Sequence, residues 1–249
     1  MTVIIHGSII YKQVSPYSLS EVYNSMNVFF CDGDFNSYIW NKYFIGTNLF
    51  RLLFEKYIKI NDNVQNIIEP YLPNMSGRIL GVHFRGKEMN YAPEHPFGHT
   101  KKQIFRYTDE ILKKHRIDKI LIVTEDKDYL DAFVERYHDK VFYTDSFCIA
   151  KINAYNIYPR ENHKYLLGLE VLRDAILLSK CNVLLCGESN VSQVADLIGD
   201  NQITYLIDNG KNSSNHTIAR YLYALKKRLP SRLGGLRNEM ITRNKPIKI

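Results

Sequence analysis

"GRILGVHFRGKEMN", Gly77 to Asn90, is apolar through Val82 and then sets His83 and Arg85 one residue apart, with Gly86 directly after. A continuous apolar run of this length reads as a strand buried on both faces. The polar residues at its end mark where the chain leaves the core. From here onward, apolar runs alternate with amphipathic stretches. "HTKKQIFRYTDEILKKH" (99–115), with Ile104, Tyr107, Ile111 and Leu112 at helical spacing, predicts a helix, and "KILIVT" (119–124) a second strand. "KDYLDAFVERY" continues as a helix and "KVFYT" as a short strand. The long "HKYLLGLEVLRDAILLSK" (163–180) predicts a largely buried helix, "VLLC" (183–186) a strand, and "VSQVADLIG" a helix closed by Gly199. "TYLI" and "HTIARYLYALKKR" add a last strand and helix. Strands that are apolar throughout, separated by helices, predict an α/β fold with a Rossmann-like parallel sheet covered on both faces.

Before Gly77 the pattern is less regular: the aromatic-rich "SYIWNKYF", a helix at "NLFRLLFEKYIKI" and another around "DNVQNIIEPYL". These predict a small, mainly helical N-terminal region, 1–76, with a boundary in "PNMSG", followed by an α/β domain over 77–225 and a basic tail over 226–249. Between Lys226 and Ile249 eight cations stand against Glu239 alone, so the chain's whole net charge of +7 resides there. Such a tail is a solvated end, or it touches an anionic membrane or a nucleic acid; the neutral remainder makes nucleic acid the weaker partner.

At 249 residues, 45% of them apolar, the chain can bury a core without disulfides or a structural metal. Cys31, Cys148, Cys181 and Cys186 lack metal-ligand or disulfide spacing and read as reduced core residues. The N-terminus has no basic segment ahead of its apolar residues, which leads to an expectation of a cytoplasmic location, with peripheral membrane contact left to the tail.

In a parallel sheet, ligands bind beyond the carboxyl ends of the strands. Three such ends carry polar groups: His83 to Gly86; Glu125 and Asp126 after the second strand; and Glu188, Ser189 and Asn190 after "VLLC". Each set also has a purely structural reading, namely a core histidine, helix-terminal charges and an N-cap. Arg173-Asp174 puts an ion pair or a capped carboxylate inside an otherwise apolar helix. A guanidinium, a helix N-terminus and hydroxyl donors together suit a phosphorylated ligand. Neither a Gly-x-Gly-x-x-Gly fingerprint nor a P-loop is present, which makes Arg85, with its planar fork, the candidate for a pyrophosphate.

"GVHFRG", "VTED" and "GLEVLRDAILLSKCNVLLCGESNVSQVADLI" together resemble the three motifs of the GDP-fucose-dependent fucosyltransferases of the α1,6 and O-fucosyltransferase-like type, over Gly77 to Asp200. The resemblance implies the nucleotide-sugar half of a GT-B-type enzyme. It assigns the pyrophosphate to Arg85, with His83 in support and Gly86 beside it. It places donor contacts at Glu125, Asp126, Asp174, Ser189, Asn190 and Ser192. It departs from the family where Lys87-Glu88-Met89 replaces Thr-Asp-Lys, and in the shortness of the N-terminal region.

The activity so implied is transfer of fucose from GDP-fucose to a glycan or other hydroxyl acceptor, inverting and without a metal or other cofactor. An inverting transfer needs a base, and the loop "YAPEHPFGH" (91–99) offers Glu94, His95 and His99, of which Glu94 or His95 is favoured. Asp32-Gly33-Asp34 could instead hold a divalent cation, as in metal-dependent transferases, although a turn is the simpler reading. A relative that binds nucleotide or glycan without turnover, and a protein acting through its basic tail, are the alternatives.

Overall fold

β1 (Ile79–Phe84) is buried along its whole length and lies inside a six-stranded sheet of order β3-β2-β1-β4-β5-β6. The computed structural model describes residues 54–56, 58–85, 90–148, 158–200 and 202–244, all of which lie in the unit of the chain that begins at Phe50. β2 (Lys119–Thr124), β3 (Val141–Tyr143), β4 (Val183–Cys186) and β5 (Ile203–Asp208) join β1 in parallel. The helices are α1 (Asp62–Ile68), α2 (Lys101–His115), α3 (Lys127–Tyr137), α4 (His163–Ser179), α5 (Asn190–Ile198) and α6 (His216–Lys226).

The alternation of side chains along β1 builds two cores. Leu80, Val82 and Phe84 pack with Ile104, Tyr107 and Ile111 of α2 and Phe133 of α3 on one face. Ile79 packs on the other with Val64 and Ile68 of α1, Ile176 to Leu178 of α4 and Ala195 of α5. With helices on both faces, no strand of the parallel set can afford polar alternation, which is why all of them read as apolar runs. Gly81 lets α4 approach closely: a Cβ there would lie 2.9 Å from Cys181 Sγ and 3.0 Å from Leu178 Cδ2.

The winding decides where a ligand can sit. From β1 the chain steps outward through β2 to β3, then α4 carries it back across to β4 on the other side of β1 and on to β5. The direction reverses between β1 and β4, and at such a point the loops leaving the carboxyl ends diverge and open a crevice.

The parallel sheet and its helices fall where the apolar pattern predicts them, and two segments add to that picture. Within the basic C-terminal segment, β6 (Glu239–Asn244) pairs antiparallel with β5 along all six residues, so the segment taken for a tail is a sheet edge as far as Asn244. Its backbone groups find partners on β5 that water would otherwise supply. In the region ahead of Gly77, α1 and the 3-10 turn Glu69–Met75 pack Val64, Ile68, Tyr71 and Met75 against the α4 side of the sheet. The "SYIWNKYF" stretch, Cys31 and Asp32-Gly33-Asp34 lie outside the described residues.

Candidate functional site

The crevice between β1 and β4 is a shallow, open depression lined by His83, Arg85, His95 to His99, and Gly187 to Ser189. Two of the three polar strand ends meet here, because β1 and β4 are neighbours in register, with His83 opposite Cys186. The loop 95–99 forms the far wall.

That loop is held firmly. Pro96 bridges to Lys211, Phe97 N–H donates to the Gly210 carbonyl at 2.9 Å, and Asn212 N–H donates to the His95 carbonyl at 2.9 Å. Phe97 is buried and stacks on Tyr223 at 5.9 Å between centroids. His99 donates from Nε2 to the Ile207 carbonyl at 3.2 Å, and its own carbonyl accepts from the Tyr129 hydroxyl. The His99 ring rests against the β4 end so closely that a Cβ on Gly187 would lie 2.2 Å from its Cε1. Glycine is the residue that fits there.

His83 sits on the α5 side. Its Nδ1 is 2.8 Å from Ser192 Oγ, which donates to the Gly187 carbonyl at 3.1 Å, and Ser189 Oγ lies 2.8 Å from Ser192 Oγ. With the Ser192 proton given to that carbonyl, His83 donates from Nδ1 and keeps its lone pair on Nε2. Burial, then the Arg85 charge and His99, push the His83 pKa down to about 3. Near neutrality the ring is uncharged. Burial likewise lowers His99 to about 4. Both rings are therefore neutral walls, and neither adds positive charge to the cleft.

Arg85 supplies that charge. Its side chain is exposed at the cleft, and among the described residues it makes no hydrogen bond or ion pair. It is not folded onto Asp126, whose carboxylate caps α3 by accepting from Asp128 N–H at 3.0 Å. Glu188 on the rim faces Lys211 at 3.7 Å. Ser189 is the N-cap of α5, accepting from Ser192 N–H at 3.1 Å, so the positive end of that helix opens beside the cleft.

The site residues expected from the sequence thus divide. His83, Arg85, His95 and Ser189 line the cleft; Ser192 stands behind His83; Asn190 is the exposed first residue of α5. Glu94 has a left-handed φ of 59°, its backbone N–H donates to the Ser213 carbonyl at 3.2 Å, and it is not among the residues that line the cleft. Glu125 and Asp126 stay at the β2 end and are not among the lining residues. Asp174 is buried in α4, paired through Oδ1 with Arg173 Nε at 3.2 Å and through Oδ2 with Ser146 Oγ at 2.6 Å, well inside a structural network. Gly86 and Lys87-Glu88-Met89 lie outside the described residues. Gly187 and Glu188, from the strand end after "VLLC", and His99, from the 91–99 loop, also line the cleft; Pro96, Phe97 and Gly98 join it on the strength of their proximity to the two strand ends, visible only once β1 and β4 are known to be neighbours.

Fold and cleft define a Rossmann-like α/β unit with a ligand crevice at its topological switch point. No family model matches the chain, and no curated protein matches it. Among solved structures it is similar to the NodZ α-1,6-fucosyltransferase soaked with GDP-fucose, at 16% identity over 80% of this chain and 54% of that one, with a TM-score of 0.46. It is also similar to a mutant FUT1 of Arabidopsis thaliana in complex with GDP, at 11% identity over 64% and 36% of the two chains, TM-score 0.40. A third is POFUT1 in complex with GDP-fucose, at 8% identity over 57% and 43%, TM-score 0.36. The chain spans about half the length, or less, of these solved structures.

Proposed function

We propose that this chain is a glycosyltransferase that binds a nucleoside-diphosphate sugar in the β1–β4 cleft and passes the sugar, with inversion, to an acceptor hydroxyl. The observation that carries the reading is Arg85: a guanidinium without a partner among the described residues, at the end of a buried strand and beside the N-terminus of α5. As the glycosidic bond breaks, the transition state becomes oxocarbenium-like and charge grows on the departing diphosphate. Fixed donors aimed at such charge contribute about 3–4 kcal/mol each. Arg85 can play this part without a metal. The donor is GDP-fucose by the motif resemblance at "GVHFRG" and "GESNVSQVADLI".

His95 is the base we favour. It lines the cleft, and burial together with the Arg85 charge holds its pKa below the usual histidine range, so the ring is free to accept the acceptor's proton at neutral pH. With Nδ1 donating to Ser192, His83 Nε2 is an acceptor that suits a hydroxyl of the bound donor.

Thermal melting with GDP, UDP, CMP and ADP tests the donor class, since a ligand of the native state raises the midpoint by mass action. GDP is expected to give the largest rise, and release of GDP from GDP-fucose on adding glycan acceptors is the activity assay. A rise with UDP alone contradicts the GDP assignment.

A further inference from the structure

α6 buries Ala219 and Tyr223 and turns Ile218, Tyr221 and Leu225 outward. At 100° per residue these three fall within an arc of about 60°. Leu229 and Leu233 continue the apolar series beyond the helix end, and Tyr221 is 70% exposed and Leu233 65%. Interleaved with them in the chain are exposed Arg220, Arg228 and Arg232, whose side chains make no hydrogen bond or ion pair among the described residues. From Asn209 to Asn238 the chain carries seven lysines and arginines and no carboxylate. This surface lies on α6 and the turn after it, outside the residues that line the cleft.

Large apolar side chains left in water in one row mark an interaction surface. The charge among the apolar residues selects the partner: Lys211 and Arg237 are paired with Glu188 and Asp208, but the three arginines of the row are not, and such cations suit an anionic surface while apolar residues set between them suit one with a hydrocarbon interior into which they can sink. We propose that the outer face of α6, with Leu229 and Leu233, docks this protein on an anionic lipid bilayer. The contact is peripheral: among the described residues no helix is long and apolar enough to cross a membrane. Tyr221, Leu225 and Leu233 enter the headgroup boundary while Arg220, Arg228 and Arg232 stay with the lipid phosphates. A nucleic acid would use the cations and leave the leucines in water; a second copy of the chain would face its own cations.

The test is flotation of the full chain with vesicles of phosphatidylcholine containing about 30% phosphatidylserine, against pure phosphatidylcholine, at about 0.15 M salt, where only close charges act. Retention on the anionic vesicles alone is expected. Reversing Arg220, Arg228 and Arg232 to Glu is expected to weaken it by at least ~100-fold, and Tyr221→Ser with Leu225→Ser by ~10-fold or more. Circular dichroism melting confirms that both variants are folded. Equal retention on neutral vesicles, retention unchanged in either variant, or a self-association in sedimentation velocity that the Tyr221→Ser, Leu225→Ser pair abolishes overturns the proposal. So does tight oligonucleotide binding that the serine pair leaves intact while vesicles go unbound. The assay reads lipid binding alone and stands apart from the transferase reading.

Discussion

Two arginines of the same α/β unit meet opposite fates. Arg173, on α4, is buried: its guanidinium pairs with Asp145, donates from Nε to Asp174 at 3.2 Å and from Nη2 to Ser146 Oγ at 2.7 Å, and lies over the Tyr71 ring at 5.0 Å. Arg85, beyond β1, is exposed to a cleft with none of these partners among the described residues. A guanidinium that donates from all three nitrogens inside the protein ties elements together; one whose donors open on a crevice is available to a ligand. Arg173 joins α4, the β3 end and the 3-10 turn carrying Tyr71, whereas Arg85 ties no elements together among the described residues.

The largest expected effect breaks the structural member of the pair. Arg173→Ala leaves Asp174 buried and unpaired, where burial already raises its pKa, and is expected to cost about 3–5 kcal/mol of unfolding free energy in urea titration. The exposed Asp145 contributes little of this. Below its melting point, the same variant should bind GDP as the wild type does. Arg85→Ala should do the reverse: kcat falls at least ~100-fold in the GDP-release assay while the urea midpoint stays put, and Arg85→Lys restores little, because an ammonium lacks the bidentate fork.

The neutral walls of the cleft carry a pH signature. His83 at about 3 and His99 at about 4 remain unprotonated in the fold, while the unfolded chain takes up protons near the ordinary histidine value of 6.5. Their contribution to stability is therefore complete above pH 6.5 and is lost as the pH falls from there toward 4 and 3. By pH 5 each ring should have cost about 2 kcal/mol, read as a shift of the urea midpoint, and His83→Gln should remove about half of the slope. The smallest effect is expected at Glu94. Glu94→Gln should change kcat by less than about twofold, as surface changes do, whereas His95→Gln should remove the basic group from the kcat pH profile.

Much of the architecture was legible from Gly77 onward, because a sheet covered on both faces admits only apolar strands, and the helices between them carry their period openly. Arg85 and His83 were legible for the same reason: polar residues at the end of such a run have few places to go. Which strand ends meet was not legible. The order β3-β2-β1-β4-β5 depends on the side to which α4 returns, and a βαβ pattern does not encode that choice. Hence Glu125 and Asp126, at an equally polar strand end, stay outside the cleft, while Phe97 and Gly98, unremarkable in sequence, help to wall it. Arg173-Asp174 could be read as an ion pair, but its setting could not, since Asp145 and Ser146 come 28 and 27 residues earlier in the chain. β6 hid inside a basic segment because an antiparallel edge strand needs only backbone partners, and Arg237 and Arg243 gave its sequence the look of a tail.

The claim that a diphosphate lies against Arg85 is tested most directly by calorimetric titration of wild type and Arg85→Ala with GDP and, in parallel, with guanosine. Loss of one partner of a charge-assisted contact should weaken GDP by at least ~30-fold, on the scale of 2 kcal/mol or more, and leave guanosine unchanged. Equal GDP affinity in the two proteins would place the diphosphate elsewhere and remove Arg85 from the site.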